Sequence, residues 1–191
     1  MNSSLRILTL FLLTLIIAGC GQSGFLSQSP SSSAETTMDV KGFEAYVTEK
    51  GEPMYILQAE EARLKEKNNV VELDDIDLKF FQEDKDTSNT LTADSGSYYL
   101  RNSAEDRKNR NDIDLFGNIR LVKSDGTTLK TSRLHYDSKS EKIYSDAGFE
   151  QRKIAQNRVI VLKGKSFVTD RSMNQFEQVG GEISFEPLKS D

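Results

Sequence analysis

The side chains best suited to catalysis in this sequence are His135 and Asp137, which stand two residues apart. Residues i and i+2 of a β-strand point to the same face, so this imidazole and carboxylate would be close enough for general acid–base chemistry. His135 is the only histidine of the chain, and the only cysteine lies far from it. A polar pair on the outer side of a strand is the simpler interpretation, and we predict that the protein is not an enzyme.

The acidic run Asp74-Asp75-Ile76-Asp77 is a second candidate for chemistry. Clustered carboxylates bind Ca²⁺, but this run lacks the glycine turn and the distal glutamate of a known calcium loop. The sequence also contains no glycine-rich loop of the kind that binds phosphates. We therefore predict neither a metal nor a cofactor.

Cys20 has a sequence context that points to a modification. Residues 1–6 carry one positive charge, and residues 7–17 are almost all apolar. That run is too short for the roughly 20 residues of a membrane-spanning helix and is typical of a secretory signal peptide. Ile17-Ala18-Gly19-Cys20 resembles the lipobox of bacterial lipoproteins, in which the cysteine becomes the lipid-bearing N-terminus. A plain signal peptide and a short membrane anchor are the alternatives.

These features predict three parts of the chain. Residues 1–19 form a signal peptide, residues 20–37 a lipidated flexible tether rich in Ser, Gly and Gln, and residues 38–191 one domain. The formal net charge is −5, and Arg6 is the only charged residue of the signal segment, so the mature chain is more acidic still. An acidic chain has no electrostatic reason to bind nucleic acid, which we exclude as a partner.

Apolar and polar residues alternate along most of the domain, most clearly over residues 112–137. A period of two predicts strands with one dry face and one wet face. Turn signals such as Asp125-Gly126 and Ser95-Gly96 separate these segments at intervals of about 8 to 12 residues. Residues 59–67 have a composition compatible with a helix, but their neighbours favour a strand. The sequence therefore predicts an all-β domain.

A loose repeat accompanies the alternation. Triplets of Leu, a polar residue and a small residue begin at Leu57, Leu91, Leu129 and Leu162, and each is followed by a polar turn and another alternating segment. A unit of two strands and a turn, stacked along an axis, would produce this pattern. Such short triplets also recur by chance in β proteins.

Four segments in order resemble the periplasmic domain of the LptC family of lipopolysaccharide-export components, which is related to LptA and the organic-solvent-tolerance domain. They are "YILQAEEARLKEKNNVVELDDIDLKFF", "LTADSGSYYL", "IDLFGNIRLVKSDGTTLKTSRLHYD" and "IYSDAGFEQ". The resemblance covers about residues 42–186. It implies a twisted antiparallel β-jellyroll, or half-pipe, with two facing sheets and open edge strands at both ends.

The resemblance also implies a function and partners. The domain would accept lipopolysaccharide from an inner-membrane ABC exporter and pass it to an LptA-like protein. The exporter would bind at the N-terminal edge, near residues 42–48, and the LptA-like protein at the C-terminal edge, near residues 182–186. Both would bind by β-augmentation.

An acidic protein cannot hold anionic lipopolysaccharide by general charge attraction, but it can hold the acyl chains. Each methylene removed from water contributes about 0.8 kcal/mol. We expect a ligand groove lined by the inward residues of the strands, many of which would also be packed core. These residues are Leu73, Ile76, Leu78, Phe80, Leu91, Ile113, Leu115, Ile119, Leu121, Leu129, Leu134, Tyr136 and Ile143.

The sequence departs from the family at its N-terminus, because a lipobox stands where members usually keep a transmembrane helix. Gly21 is also not the aspartate that retains lipoproteins at the inner membrane under the enteric sorting rule. We expect a lipid-anchored protein on the periplasmic face of the inner membrane, with the outer membrane as the alternative. The alternative function is a structural or interaction lipoprotein of the envelope that binds proteins only.

Overall fold

The computed structural model describes residues 37–82, 88–103, 107–155 and 157–187. The predicted signal peptide, Cys20 and nearly all of the predicted tether lie outside these residues. The described chain contains twelve strands and, within those ranges, no helix long and apolar enough to cross a membrane. The strands are β1 (Thr37–Glu49), β2 (Glu52–Lys65), β3 (Val70–Phe81), β4 (Ser88–Tyr99), β5 (Ile113–Val122), β6 (Thr128–Asp137), β7 (Lys142–Ser145), β8 (Phe149–Ala155), β9 (Arg158–Gly164), β10 (Ser166–Asp170), β11 (Phe176–Val179) and β12 (Glu182–Pro187).

All strands pair antiparallel in one open sheet, which confirms the predicted all-β class with free edges. The order runs from β1 to β6 and then on through β7, β10 and β11. A branch arises at β6, whose Thr128–Thr131 pair with β8, while His135–Asp137 pair with β7. The branch continues from β8 to β9 and β12. Beyond β6 the sheet therefore has two arms, one of β7, β10 and β11 and the other of β8, β9 and β12. Both arms belong to one hydrogen-bonded sheet.

The alternation of inward and outward residues is interrupted partway along each long strand, and in β3, β4 and β6 it shifts by one position. In β3, for example, Val71 and Leu73 are buried before the shift, and Ile76, Leu78 and Phe80 after it. Extra residues and left-handed backbone mark the shift, with register changes between β4 and β5 and between β5 and β6 and a φ of 52° at Asp75. Irregularities of this kind bend a strand. Because they line up across the sheet, the sheet folds along one line, which we call the corner.

The corner divides the sheet into two walls. Wall 1 contains the parts of β1–β6 nearer the β1–β2, β3–β4 and β5–β6 turns, together with β8, β9 and β12. Wall 2 contains the remaining parts, together with β7, β10 and β11. Aromatic side chains join the two inner faces, with ring centroids 5.6 Å apart for Tyr55 and Tyr136 and 5.2 Å apart for Phe149 and Phe167. The apolar core lies between the walls.

Two local predictions have different outcomes. The strand predicted over residues 59–67 is confirmed as far as Lys65, where β2 ends. The turn predicted at Ser95-Gly96 is wrong, because both residues lie inside β4. They sit at the corner, where β4 changes from wall 1 to wall 2, and a side chain at Gly96 would overlap Ile76 and Leu115.

The bulge in β5 depends on Gly117, whose φ is 95°. The Asp94 carboxylate from β4 fills the space where a side chain at Gly117 would stand. Its Oδ2 atom accepts hydrogen bonds from the backbone N–H of Asn118 at 3.0 Å and from its side-chain amide at 2.8 Å. Glycine is therefore required here both by backbone conformation and by close approach.

We predict that Gly117→Ala lowers the free energy of unfolding by roughly 2 to 4 kcal/mol, because it adds steric overlap to backbone strain. Gly126→Ala is the matched control, since Gly126 has a φ of 82° but no atom within 4 Å of the added methyl group. Strain alone should cost about 1 kcal/mol there. Urea denaturation measures both, and equal losses would contradict the role given to Asp94.

Candidate functional site

One row of directly paired residues crosses wall 1 from edge to edge. We call it the leucine row, and it contains one residue from each of nine strands. Directly opposite residues of paired strands share a face, so all nine point to the inside. The row includes all four leucines of the repeated triplets, which explains their spacing. Its members, in spatial order, are Ala45, Leu57, Leu78, Leu91, Leu121, Leu129, Gln151, Leu162 and Ile183.

The thirteen residues expected to line a groove all lie in the core between the walls, and each is at most 2% exposed. Leu78, Phe80, Leu91, Ile119, Leu121 and Leu129 lie on wall 1 close to or in the leucine row. Ile113, Leu115, Leu134, Tyr136 and Ile143 lie on wall 2. The two walls thus cover these side chains completely, and a ligand would reach them only after the walls separate.

The inward apolar surface reaches solvent at two edge strands. On β1, Met38 is 55% and Val40 39% exposed, although their partners Leu64 and Ala62 pack in or against the core. On β12, Ile183 is 60% and Phe185 63% exposed. Each edge therefore presents inward apolar side chains that no strand of the described chain covers, and they are continuous with the buried core.

Several core residues were missed by sequence reasoning. Phe149, Phe167 and Phe176 form an aromatic cluster between the two arms, with centroids 5.2 to 5.5 Å apart. They lie in strands of four to seven residues, which are too short to show a clear alternation. Leu57 was also missed, although the repeated triplet was a signal that marked it.

His135 lies on the outer face of wall 2, and its partner is Asp114 rather than Asp137. Its Nδ1 atom is 2.5 Å from Oδ1 of Asp114, which also accepts a hydrogen bond from Lys108 at 2.7 Å. Tyr99 donates to the other carboxylate oxygen at 3.0 Å. Burial alone would raise the pKa of Asp114, but the hydrogen bonds from His135 and Lys108 lower it to about 2.

This cluster positions a loop. Lys108 belongs to the connection between β4 and β5, and its ion pair with Asp114 holds that connection against the sheet. Three residues further on, the carbonyl of Asn111 accepts a hydrogen bond of 3.0 Å from the hydroxyl of Tyr55 on wall 1. The described part of the chain places no group of three or more His, Cys, Asp or Glu side chains where it would hold a metal ion.

The described chain is an open antiparallel half-pipe whose apolar interior reaches the edge strands β1 and β12. Residues 7–155 match the family model described as "Lipopolysaccharide-assembly, LptC-related". The chain belongs to this family, which places it in lipopolysaccharide assembly and transport at the cell envelope. A comparison with curated proteins gave no match.

We predict that Asp114→Asn lowers the free energy of unfolding at neutral pH by about 2 kcal/mol, because a carboxylate with a depressed pKa stabilises the fold while it is ionised. That contribution is lost as pH falls from about 4 towards 2, so the variant and the parent chain should converge there. Asp146→Asn is the control, because Asp146 pairs with Arg133 in solvent. Urea titrations between pH 7 and pH 2 would contradict the account if both variants behaved alike.

Proposed function

We propose that the domain carries lipopolysaccharide across the periplasm by holding its acyl chains between the two walls. It accepts the lipid from an inner-membrane ABC exporter and passes it to an LptA-like protein. The observation that supports this proposal best is the leucine row, which crosses wall 1 from β1 to β12 and ends on β12 at the exposed Ile183. A core built only for stability would have no need of apolar side chains such as Ile183 and Phe185 at its ends.

The energetics are compatible with a core that is also a lipid path. Separation of the walls exposes apolar side chains to water, and acyl chains placed between the walls cover them again. Each buried methylene contributes about 0.8 kcal/mol, so several partly buried chains offset most of the exposed surface. Lipid binding therefore replaces apolar contacts between the walls with apolar contacts to the acyl chains. The thirteen groove residues are assigned to both kinds of contact.

Two of the three edge strands of the described sheet, β1 and β12, supply the proposed partner surfaces. Among the described strands, β1 pairs only with β2, and β12 only with β9, so each leaves one side of its backbone open for a further strand. The N-terminal edge is assigned to the exporter and the C-terminal edge to the LptA-like protein. A strand added at either edge would extend the inward apolar surface into the partner.

We assign the anchor to Cys20, as the lipid-bearing first residue that follows a signal peptide of residues 1–19. Residues 20–37 would then be the tether, and residues 38–191 the transport domain. The proposed location is the periplasmic face of the inner membrane, where the exporter lies. The outer membrane is the alternative, because Gly21 does not follow the enteric retention rule.

A second candidate function is an envelope lipoprotein that binds proteins only. The observation in its favour is the closed core, in which none of the thirteen expected groove residues is more than 2% exposed. Such a protein would use the edge strands alone and would never admit lipid between its walls. Lipid contact at the inward residues separates the two functions.

A photo-crosslinking phenylalanine analogue at Phe185 is expected to form an adduct with lipopolysaccharide in living cells, because Phe185 faces inward and is 63% exposed. The same analogue at Tyr46 is the control, since Tyr46 is aromatic and similarly exposed at 57% but points outward. Immunoblotting against lipopolysaccharide detects the adducts. Equal adducts at both positions, or none at Phe185, would favour the protein-only function.

Ile183→Pro should weaken binding of an LptA-like partner more than it lowers the melting temperature, because proline removes a backbone donor from β12. Val179→Pro on β11, the last strand of the other arm, is the matched change and should leave this binding unchanged. Pull-down assays and thermal unfolding measure the two effects. Normal partner binding by the Ile183 variant would argue against the assignment of β12 as the C-terminal partner edge.

A further inference from the structure

The side of the walls opposite the corner, which we call the mouth, is where an acyl chain would enter from the side. The turn of residues 171–175, between β10 and β11, lies at the mouth. Met173 at its centre is only 6% exposed and belongs to the core, so its side chain reaches in between the walls. This turn lies beyond residues 7–155, the part of the chain that matches the family model.

Three polar contacts tie the turn on wall 2 to the ends of strands on wall 1. The Asn89 side-chain amide, which is fully buried, donates a hydrogen bond of 2.8 Å to the carbonyl of Arg171. The Arg171 guanidinium contacts the sulfur of Met54 at 2.9 Å. Lys123 donates to the Asn174 side chain, also at 2.9 Å. The polar contacts of the turn therefore link the two walls across the mouth, and its Met173 side chain fills the space between them.

The turn is held together by hydrogen bonds of its own. Asp170 at its start accepts hydrogen bonds from the Ser172 hydroxyl and, at 2.9 Å, from the backbone N–H of Gln175. Met173 has a left-handed φ of 57°, which is unfavourable for a residue with a side chain. The structure thus holds Met173 inward at a cost in backbone strain.

Open space lies beside the turn of residues 171–175. A depression of about 620 Å³ separates it from the end of β3 and from the β6–β7 turn. Arg171 crosses this space to form an ion pair of 2.9 Å with Glu141. The lining is polar, and it includes Gln82, Lys139, Ser140, Asn174 and Gln175.

We propose that the turn of residues 171–175 is a latch that controls the entry of lipid acyl chains through the mouth, an inference that rests on the proposed function. Acyl chains can replace the apolar contacts that the core loses on opening, but they cannot replace the hydrogen bonds of Asn89 and Asn174. These polar contacts therefore set the threshold for opening. Movement of this turn away from wall 1 would break the polar contacts across the mouth and withdraw the Met173 side chain from between the walls.

A reversible lock tests the latch in the full-length chain. Lys123→Cys and Asn174→Cys together place two thiols at an existing contact, where a short bismaleimide with a cleavable disulfide joins them. A photo-crosslinking side chain at Leu121 reports lipopolysaccharide between the walls. The lock should reduce the adduct about tenfold or more, and cleavage of the linker should restore it, because only the open population binds. Each single-cysteine variant, treated in the same way, controls for Cys20.

Met173→Ala tests the same latch in the opposite direction. Loss of the Met173 side chain from the mouth should raise the initial rate of adduct formation by a few fold, since the open population increases. Val71→Ala is the control, because Val71 is a buried residue of wall 2 far from the turn. An equal rise in both variants would mean that general loosening of the core, and not the latch, admits the lipid.

The outcomes separate the latch from the function. If the parent chain forms the Leu121 adduct and the locked chain forms it equally well, lipid enters by another route and the latch proposal is wrong. If the parent chain forms no adduct at Leu121 or at Phe185, the proposed function fails and the latch fails with it. A locked chain that recovers when the linker is cleaved supports both.

Discussion

The structure depends on a shift in side-chain alternation that is repeated across neighbouring strands at the corner. A strand with strict alternation has one dry face along its whole length and builds a flat wall. Here irregularities at Asp75, Gly117 and their neighbours interrupt this pattern, so each long strand bends and contributes an inward face to both walls. The sheet can then fold over itself and enclose a core without closing into a barrel, which leaves the edges β1, β11 and β12 free within the described chain.

The free edges expose the ends of the apolar interior to solvent. The leucine row crosses nine strands and is apolar except for Gln151. Its central members are fully buried, while Ile183 at its end is 60% exposed. Transport of a lipid through such an interior requires that lipid contacts resemble core contacts, and they do, since both are apolar and nondirectional. The polar contacts at the mouth, worth about 1 kcal/mol each, are the part that a lipid cannot reproduce.

Local features were predictable from sequence and long-range ones were not. Alternation is written in the order of residues, so the strands, their dry face and the thirteen inward residues could be predicted. The irregular spacing of inward residues is visible in the sequence too. It is three positions from Leu73 to Ile76 and four from Leu115 to Ile119, instead of two. Only strand pairing shows that these irregularities align into a corner. The hydrogen bond between Asn89 and Arg171 was hidden for the same reason, because the two residues are 82 positions apart. Asp114, 21 residues from His135, was likewise not identifiable as its partner.

Acyl chains between the two walls would contact a probe placed in the core. The chain contains no tryptophan, so Phe80→Trp introduces a single fluorophore at a fully buried position on wall 1. Lipopolysaccharide with spin-labelled acyl chains is then added and its binding is verified by co-purification. We expect strong quenching of the tryptophan fluorescence at saturation, because the spin labels would lie close to the indole ring. Bound lipid that leaves this fluorescence unchanged would contradict this expectation, because the acyl chains would then lie outside the core.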